Sequence, residues 1–298
     1  MSEIGGIIVP LATPFDDGGE IDYAAFREEI AFMDDAKVHA IAVGGSTGEG
    51  HTLEHDELRR LCEVAIEAAS GRIPVVGSII VDSTREAIQK AKMLDELALA
   101  AVQITPVHYL FKPSADATVE HFRQIAVHTR HPMLIYNVVP WNYLSAELLV
   151  LVMTEVPAVR GVKQSHADLK LFADLMISAP RDKWIFTAVD ALLYPSFALG
   201  AKGTISALPT ALPRQCVALW DLVAAGRHAE ARELHEKLLA LWNAINGDNL
   251  PYCIKYVQHL QGVRSLNARA PMHAPSIEQK KTIEAALEPL GIRTRAAA

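Results

Sequence analysis

The chain has 298 residues, 50% of them hydrophobic, and a formal net charge of −7. This balance excludes the strongly basic face of a nucleic-acid-binding protein, and the apolar runs are too short for the roughly 20 residues of a membrane-spanning helix. We therefore expect a globular protein with one large core or two small ones and with no nucleic-acid or membrane partner.

The sequence also predicts a cytoplasmic location. Residues 1–4 lack the basic and apolar regions of a secretory signal peptide. Cys62, Cys216 and Cys253 lie far apart and form no CxxC pair. Such cysteines are typical of reduced thiols in a reducing compartment.

Short β-branched apolar runs recur along the chain, and a helical pattern follows each of them. Their spacing of roughly 20 to 35 residues is the length of a βα unit. Such runs predict parallel strands buried on both faces, and their number favours a (β/α)8 TIM barrel over an open doubly wound sheet, which stays the alternative. The runs are Gly6–Ala12, Ala40–Gly45, Pro74–Ile79, Ala101–Thr105, Met133–Asn137, Val159–Lys163, Trp184–Val189 and Gly203–Ala207.

The segments between the runs carry helix signals. An apolar face at helical spacing predicts a helix from Asp22 to Ala36. Thr52 is the expected cap of the next helix, Ser83 to Glu86 matches a capping box, and Ser145 is expected to open a further helix.

After about Gly226 the strand runs stop. Residues 227–246, 250–261 and 276–290 predict three more helices. These are too many for the eighth barrel helix alone. We therefore expect a barrel over residues 1–225 and a C-terminal helical extension over residues 226–298.

The active site of such a barrel lies at the C-terminal ends of its strands. Lys163 ends the sixth run, Tyr136 lies near the end of the fifth, and Ser46 and Thr47 follow the second in a glycine-rich turn. Burial disfavours an ammonium group, and a neutral amine can attack a carbonyl to form a Schiff base. A phenol can carry the protons, and hydroxyl and backbone N–H groups suit a carboxylate. Together these groups predict a 2-keto acid such as pyruvate as the substrate.

Each of these residues also has an ordinary interpretation. A lysine at a strand end is often solvated or ion-paired, and a buried tyrosine is often a packing residue. A glycine-rich segment is often a plain turn. From residue types alone, both interpretations stay open.

Three motifs resemble the signatures of the dihydrodipicolinate synthase/N-acetylneuraminate lyase family. They are "GGSTGE" after the second run, "YNVVP" at the fifth and "GVKQS" at the sixth, in the family's order and approximate spacing. The resemblance extends over nearly the whole chain, including "GGIIVPLATPFDDGGEIDYAAF" and "GAKGTIS". It implies a class I, Schiff-base aldolase or lyase on a (β/α)8 barrel with a helical C-terminal extension. It also implies a homotetramer, built as a dimer of dimers, that needs no metal and no other cofactor.

The same resemblance implies a role for individual residues. Lys163 matches the Schiff-base lysine and Tyr136 the proton-transfer tyrosine. Ser46 and Thr47 match residues that bind the pyruvate-like carboxylate and assist the proton relay. Ile205 matches a position whose backbone carbonyl faces the site.

The acceptor side departs from the family pattern. In the synthases an arginine that binds the second substrate's carboxylate follows the fifth strand, whereas this chain has an extra valine followed by Trp141 and Asn142. Neither residue can replace a bidentate guanidinium. The missing arginine disfavours aspartate semialdehyde as the acceptor. The apolar Trp141, Tyr143 and Phe111 near the mouth predict a less polar or shorter aldehyde, with Trp141 in contact with it. His108 or Tyr109 is a candidate for the relay tyrosine that, in the family, reaches across a subunit interface, and loop packing is the alternative.

The lyase pattern of the family is also incomplete. Ser165 and Asp190 match positions that contact the hydroxyl groups of a sugar chain, but Ala191 stands where a glutamate is expected. Long polyhydroxy substrates are therefore possible but not indicated.

Three functions remain from the sequence. The first is a lyase or aldolase that acts on a 2-keto acid and an aldehyde through a lysine enamine. The second is a 4-hydroxy-tetrahydrodipicolinate (dihydrodipicolinate) synthase of lysine biosynthesis in which another residue replaces the arginine. The third is a non-catalytic keto-acid sensor, against which the set of Lys163, Tyr136 and Thr47 argues.

Other motifs give weaker signals. The glycine-rich turn lacks the Gly-Lys-Ser/Thr ending of a phosphate loop. His51 and His55 have the spacing of two metal ligands but no evident third, so we expect no metal site. Glu49 is expected to accept hydrogen bonds under the turn.

Overall fold

The strands of the protein close into a barrel. The computed structural model describes residues 4–107, 109–264 and 267–292. Within these ranges eight parallel strands pair in chain order, and β1 also pairs with β8. This confirms the (β/α)8 barrel and excludes the open sheet. The strands are β1 (Gly6–Pro10), β2 (Ala40–Val43), β3 (Val75–Ile79), β4 (Ala101–Ile104), β5 (Met133–Asn137), β6 (Val159–Gln164), β7 (Trp184–Thr187) and β8 (Gly203–Thr204).

All eight predicted runs contain a strand, but most strands are shorter than the run. The run at β5 matches residue for residue, whereas β8 covers only the first part of Gly203–Ala207. After β8 the backbone N–H groups of Ala207 and Leu208 bond to the side chain of Asp190 instead of a neighbouring strand. The pairing of β8 with its neighbours therefore ends where the Asp190 side chain becomes the hydrogen-bond acceptor for the backbone N–H groups.

Helices alternate with the strands and cover the outside of the barrel. Three predicted starts are confirmed, because the side chains of Asp22, Ser83 and Ser145 each accept a backbone N–H of the following helix. The helices of the barrel are α1 (Tyr23–Asp35), α2 (His55–Ala69), α3 (Thr84–Leu94), α4 (Ala115–Ala126), α5 (Ala146–Glu155), α6 (Leu169–Ser178), α7 (Leu193–Ala198), α8 (Leu208–Ala211) and α9 (Pro213–Ala224). Short 3-10 turns occur at Gly50–Thr52, Pro140–Asn142, Asp190–Leu192 and Glu288–Leu290.

The predicted cap at Thr52 is wrong. The chain makes a 3-10 turn there, and the Thr52 hydroxyl donates to the Glu49 carbonyl at 2.8 Å. Glu54 caps α2 instead, and its backbone N–H donates to the Glu57 side chain at 2.9 Å. A carboxylate thus performs at this helix the capping that serine performs elsewhere.

The C-terminal helices follow the predicted pattern. They are α10 (His228–Ile245), α11 (Leu250–Leu260) and α12 (Ile277–Leu287). The predicted boundary at 225/226 falls in the connection between α9 and α10. Because α10 packs on α9 and α11 on α8, the extension is joined to the barrel wall, and its separation as a domain stays a prediction.

The interior of the barrel is apolar below and polar near the C-terminal ends of the strands. Its apolar cluster includes Ile8, Val76, Leu134 and Phe186. Since alternate residues of a strand face the same side, Tyr136 follows Leu134 toward the barrel interior. The register pairs Tyr136 with Lys163. The apolar layer therefore forms a floor beneath these two polar side chains.

A buried carboxyl group joins the extension to the end of β1. Glu29 on α1 is fully buried, and its Oε1 accepts from the Ala12 backbone N–H at 2.9 Å and from Gln258 Nε2 at 2.8 Å. Gln258 Nε2 also donates to the Thr210 carbonyl at 2.9 Å. The Glu29 carboxyl thus connects α1, β1, α8 and α11.

This pocket favours the neutral acid. Burial raises the pKa of Glu29 to about 7, although the hydrogen bonds from Gln258 and Ala12 act in the opposite direction. Among the described residues, Glu29 Oε2 and Gln258 Oε1 have no hydrogen-bond partner. A proton on Oε2 would make this carboxyl group neutral, which its burial favours.

We expect the Glu29 carboxyl to make stability pH-dependent. Its pKa is higher in the folded state than its ordinary value of 4.5, so its stabilisation is fully present below pH 4.5 and is lost as the pH rises through about 7. In Glu29→Gln this loss should be absent, and the variant should gain on the order of 1 to 3 kcal/mol relative to the wild type between pH 5 and pH 8.

Urea unfolding at several pH values measures this difference. The exposed Glu278 offers a matched control, because Glu278→Gln should leave the wild-type pH profile unchanged. Parallel profiles for the wild type and Glu29→Gln would contradict the protonation of Glu29.

Candidate active site

Lys163 lies against the ring of Tyr136. Its ammonium nitrogen is 3.7 Å from the ring centroid, and the lysine is only 4% exposed. The two residues pair across β5 and β6. Close approach of β6 to β7 depends on Gly161, where an added Cβ would lie 2.0 Å from the Trp184 carbonyl oxygen. The amine is therefore held at the end of a buried strand, beside a phenol.

Tyr136 connects this lysine to the glycine-rich turn. Its hydroxyl donates to Ser46 Oγ at 2.9 Å. Burial by itself would raise the pKa of Tyr136, but the charge of Lys163 and the hydrogen bond with Ser46 outweigh burial and lower that pKa. A phenol that releases its proton more readily than usual is suited to proton transfer.

The turn between β2 and α2 is closed by its own backbone. Gly50 N donates to the Gly45 carbonyl at 3.0 Å, and Thr13 Oγ1 donates to the Gly48 carbonyl at 2.6 Å. A Cβ at Gly50 would lie 1.8 Å from the Gly44 carbonyl oxygen, so only glycine allows this closure. The turn places the exposed Ser46 and the buried Thr47 at the C-terminal end of β2.

The structure thus brings four of the predicted residues to one end of the barrel. Lys163, Tyr136 and Ser46 form one chain of contacts, and Thr47 follows Ser46 in the same turn. Ile205 is fully buried in the interior cluster, directly after β8. The arrangement offers an amine, a phenol and hydroxyl groups at one end of the barrel.

Asp190 supports the backbone after β8. Its carboxylate accepts from Leu208 N at 2.7 Å and from Ala207 N at 3.2 Å. Burial raises the pKa of Asp190 to about 6, while these hydrogen bonds, that with Ser206 and the charge of Lys163 lower it. The carboxylate is therefore already engaged in holding the segment that carries Ile205.

The loop after β5 folds over the end of β6. Tyr143 OH donates to the Ser165 carbonyl at 3.3 Å, and the Tyr143 ring meets His166 edge-on with centroids 4.6 Å apart. Ser165 Oγ is buried and has no hydrogen-bond partner among the described residues. Trp141, in the 3-10 turn of this loop, is 59% exposed. Of the two relay candidates after β4, His108 lies outside the described residues and Tyr109 is exposed.

Sequence reasoning missed several polar residues that support the site. Gln103 Nε2 donates to Ser78 Oγ at 2.6 Å inside the barrel. Asn137 Nδ2 donates to Gln164 Oε1 at 2.9 Å, next to Lys163 along the chain. Each contact joins residues on neighbouring strands. The sequence showed Ser78 and Gln103 only as single polar residues inside apolar runs, and Asn137 and Gln164 only as polar residues at strand ends.

A buried ion pair was missed as well. Lys255 Nζ lies 2.6 Å from Glu49 Oε1, and both side chains are fully buried. The expectation that Glu49 accepts hydrogen bonds under the turn is confirmed. A signal for its partner was present, since Lys255 interrupts the otherwise apolar segment Cys253–Val257.

The described residues give no metal-ligand cluster. No group of three or more His, Cys, Asp and Glu side chains within them is arranged to hold a metal ion. His51 and His55 are exposed, and His55 Nε2 lies 3.9 Å from Glu86 Oε1. No helix within the described ranges is long and apolar enough to cross a membrane.

Comparison with known proteins shows similarity along nearly the whole chain. A model of the dihydrodipicolinate synthetase family matches residues 3–290. The 4-hydroxy-tetrahydrodipicolinate synthase of Methanopyrus kandleri is 30% identical over 293 residues, which are 97% of each chain. The enzyme of that name from Dechloromonas aromatica is 31% identical over 291 residues, 97% of this chain and 99% of the relative.

Solved structures agree with this similarity. The crystal structure of dihydrodipicolinate synthase from Aquifex aeolicus has a TM-score of 0.91 and 27% identity, covering 98% of this chain and 100% of that one. A putative dihydrodipicolinate synthetase from Pseudomonas aeruginosa has a TM-score of 0.91 and 29% identity, with 97% and 100% covered.

Proposed function

The chain belongs to the dihydrodipicolinate synthetase family, and from this premise we propose that Lys163 forms a Schiff base with pyruvate or a related 2-keto acid. The protein is a lyase of the class I aldolase type. The observation that carries the assignment of residues is the contact chain from Lys163 through Tyr136 to Ser46.

The first half of the reaction uses the amine and the phenol. The Lys163 amine attacks the ketone carbon, and the resulting carbinolamine loses water to give an iminium. Tyr136 supplies the proton that the departing hydroxyl group needs. The 2.9 Å hydrogen bond to Ser46 provides the path along which that proton is replaced.

The second half uses the iminium as an electron sink. The expelled water takes a proton from the carbon next to the iminium and leaves an enamine, whose carbon attacks the carbonyl carbon of an aldehyde while Tyr136 gives the aldehyde oxygen a proton. Hydrolysis of the resulting iminium then releases the product and restores the Lys163 amine. In the reverse direction the same bond breaks and the aldehyde leaves. The hydroxyls of Ser46 and Thr47 and the N–H groups of the turn bind the carboxylate. This chemistry requires no metal and no organic cofactor, because the protonated imine accepts the electron pair.

The acceptor aldehyde has two candidate identities. The relatives named 4-hydroxy-tetrahydrodipicolinate synthase favour that activity as the second candidate function. Against it, the loop after β5 offers the exposed Trp141 in place of a carboxylate-binding arginine. We therefore favour an aldehyde without a carboxylate near this loop, with Trp141 and Ser165 on the acceptor side and Ile205 beside the keto acid.

Borohydride reduction in the presence of pyruvate tests the Schiff base. Peptide mapping should find one reduced adduct, on Lys163, because the reduced imine is a stable secondary amine. Lys163→Arg should give none. If only a longer 2-keto acid gives an adduct, the Schiff base stands and that acid replaces pyruvate as the substrate. If no keto acid gives an adduct, the proposal is overturned. An adduct without turnover on any aldehyde would favour the sensor.

Exchange of Trp141 tests the acceptor. Trp141→Arg should shift activity toward aldehydes that bear a carboxylate, including aspartate semialdehyde, since a guanidinium binds a carboxylate in a bidentate manner. Relative kcat/KM values over an aldehyde panel measure the shift, and about tenfold is expected for one new charged contact. Trp141→Phe is the control that keeps a ring without a charge. An unchanged profile in Trp141→Arg would place the acceptor elsewhere.

We also propose that the enzyme is a homotetramer, a dimer of dimers. The loop after β4 exposes Tyr109, Leu110 and Phe111 at 65%, 69% and 81% of their surface. Asn142 Nδ2 donates to the Val107 carbonyl at 2.6 Å and thereby joins this loop to the one that carries Trp141. Such a concentration of exposed apolar side chains is typical of an interface, and a second copy seated there would bring the Tyr109 side chain toward its neighbour's site.

A charged residue in this loop should separate the subunits. Phe111→Asp places a carboxylate at a position where an aromatic ring would be buried between subunits. The mass measured by light scattering after size exclusion should therefore fall from that of a tetramer to that of a dimer or a monomer. Val127, which is 76% exposed at the C-terminal end of α4, gives the control Val127→Asp, which should keep the wild-type mass. A wild type that is already monomeric would contradict the proposal.

A cytoplasmic location completes the proposal. Cys62, Cys216 and Cys253 are free and buried. Thiols that stay unpaired are typical of a reducing compartment.

A further inference from the structure

Helix α11 reaches the glycine-rich turn through one buried charge. Lys255 Nζ lies 2.6 Å from Glu49 Oε1, with neither side chain exposed. The two residues are 206 positions apart. Glu49 stands two residues after Thr47, so a helix outside the eight barrel units contacts the segment that carries both hydroxyls of the site.

The Glu49 carboxylate is fixed at both oxygens. Oε1 accepts from Lys255, and Oε2 accepts from the Arg269 backbone N–H at 2.9 Å. Lys255 Nζ also donates to the Asn267 carbonyl at 2.7 Å and lies 4.9 Å from the Phe15 ring centroid. The lysine thus holds the turn after β2, the segment at 267–269 and the segment after β1 in one place.

The backbone at Glu49 needs this support. Its φ of 54° and ψ of 32° are left-handed, a conformation that a residue with a side chain adopts only when its surroundings enforce it. Glu49 N donates to the Ser46 carbonyl at 3.1 Å, and the Glu49 carbonyl accepts from Thr52. A change in the conformation of Glu49 is therefore transmitted to Ser46.

The turn has little room to adjust separately. Gly48 and Gly50 are so close to neighbouring backbone that an added Cβ would lie 2.6 Å from the Leu11 carbonyl oxygen and 1.8 Å from the Gly44 carbonyl oxygen, respectively. The turn therefore moves as one unit, and the direction in which Ser46 and Thr47 point depends on where Glu49 is held.

We propose that Lys255 is a positioning residue for catalysis, whose ammonium group fixes Glu49 and thereby orients Ser46 and Thr47 toward Lys163 and Tyr136. The inference rests on the proposed function of those four residues. This role differs from a purely structural one because the charges of Lys255 and Glu49 would control the orientation of the Ser46 and Thr47 hydroxyls as well as the stability of the fold. Loss of Lys255 should therefore raise the KM for the keto acid and lower kcat in protein that is still folded.

The exchange of pyruvate methyl protons for deuterium, followed by NMR, tests this role without an aldehyde, because each exchange requires a Schiff base and an enamine. Lys255→Met leaves the Glu49 charge buried without its cation. We expect its exchange kcat/KM, per folded enzyme, to fall by about 10- to 100-fold, the size of effect that small misplacement of binding groups produces. Borohydride trapping on Lys163 should slow in parallel.

The double variant Glu49→Gln/Lys255→Met separates positioning from folding. It leaves neither charge unpaired, so its melting temperature should return toward that of the wild type, whereas its exchange rate should stay low because the tether is absent. Lys183→Met is the matched control, since Lys183 Nζ donates to the Val159 carbonyl at 2.9 Å, at the opposite end of β6. It should lower the melting temperature and leave exchange per folded enzyme unchanged.

Two results would overturn the inference in distinguishable ways. Wild-type exchange per folded enzyme in Lys255→Met or in the double variant would show that the pair serves folding alone, while the proposed function stands. A wild type that neither exchanges nor traps pyruvate would remove the proposed function and this role with it.

Discussion

An amine enclosed next to a phenol is the constraint on which the rest of this structure depends. Lys163 and Tyr136 are neighbours in the register of β5 and β6, and the Lys163 Nζ lies 3.7 Å from the centroid of the Tyr136 ring. A barrel of parallel strands meets this constraint because its interior is apolar in the lower layers and its strand ends are open to a substrate. The glycine that lets β6 approach β7 and the turn that presents Ser46 both serve to keep these two side chains where they are.

Much of this arrangement was predictable because it is local or periodic. Strand and helix periods, the caps at Ser83 and Ser145, and the βα spacing together specified the barrel. The position of Lys163 at the end of an apolar run then placed it at the C-terminal end of the barrel strands. The exact limits were less predictable. The predicted cap at Thr52 is wrong because the Thr52 hydroxyl donates to the Glu49 carbonyl. This hydrogen bond depends on the left-handed conformation of Glu49.

Contacts between distant residues could not be predicted from one sequence. Lys255 and Gln258 each marked an unexpected polar position in an apolar helix, but nothing near them named Glu49 or Glu29 as a partner. The pairing follows from how α11 docks on α8 and on the ends of β1 and β2, which periodicity does not determine. The same holds for Ser78 and Gln103, whose hydrogen bond exists only because β3 and β4 are neighbours.

The bond from Asn142 to the Val107 carbonyl has a consequence for how such an enzyme diverges. It joins the loops after β4 and β5, so a displacement of one loop also displaces the other. A substitution in either loop would therefore alter the surroundings of Trp141, whereas Tyr136 and Lys163 lie within the strands and would keep their positions.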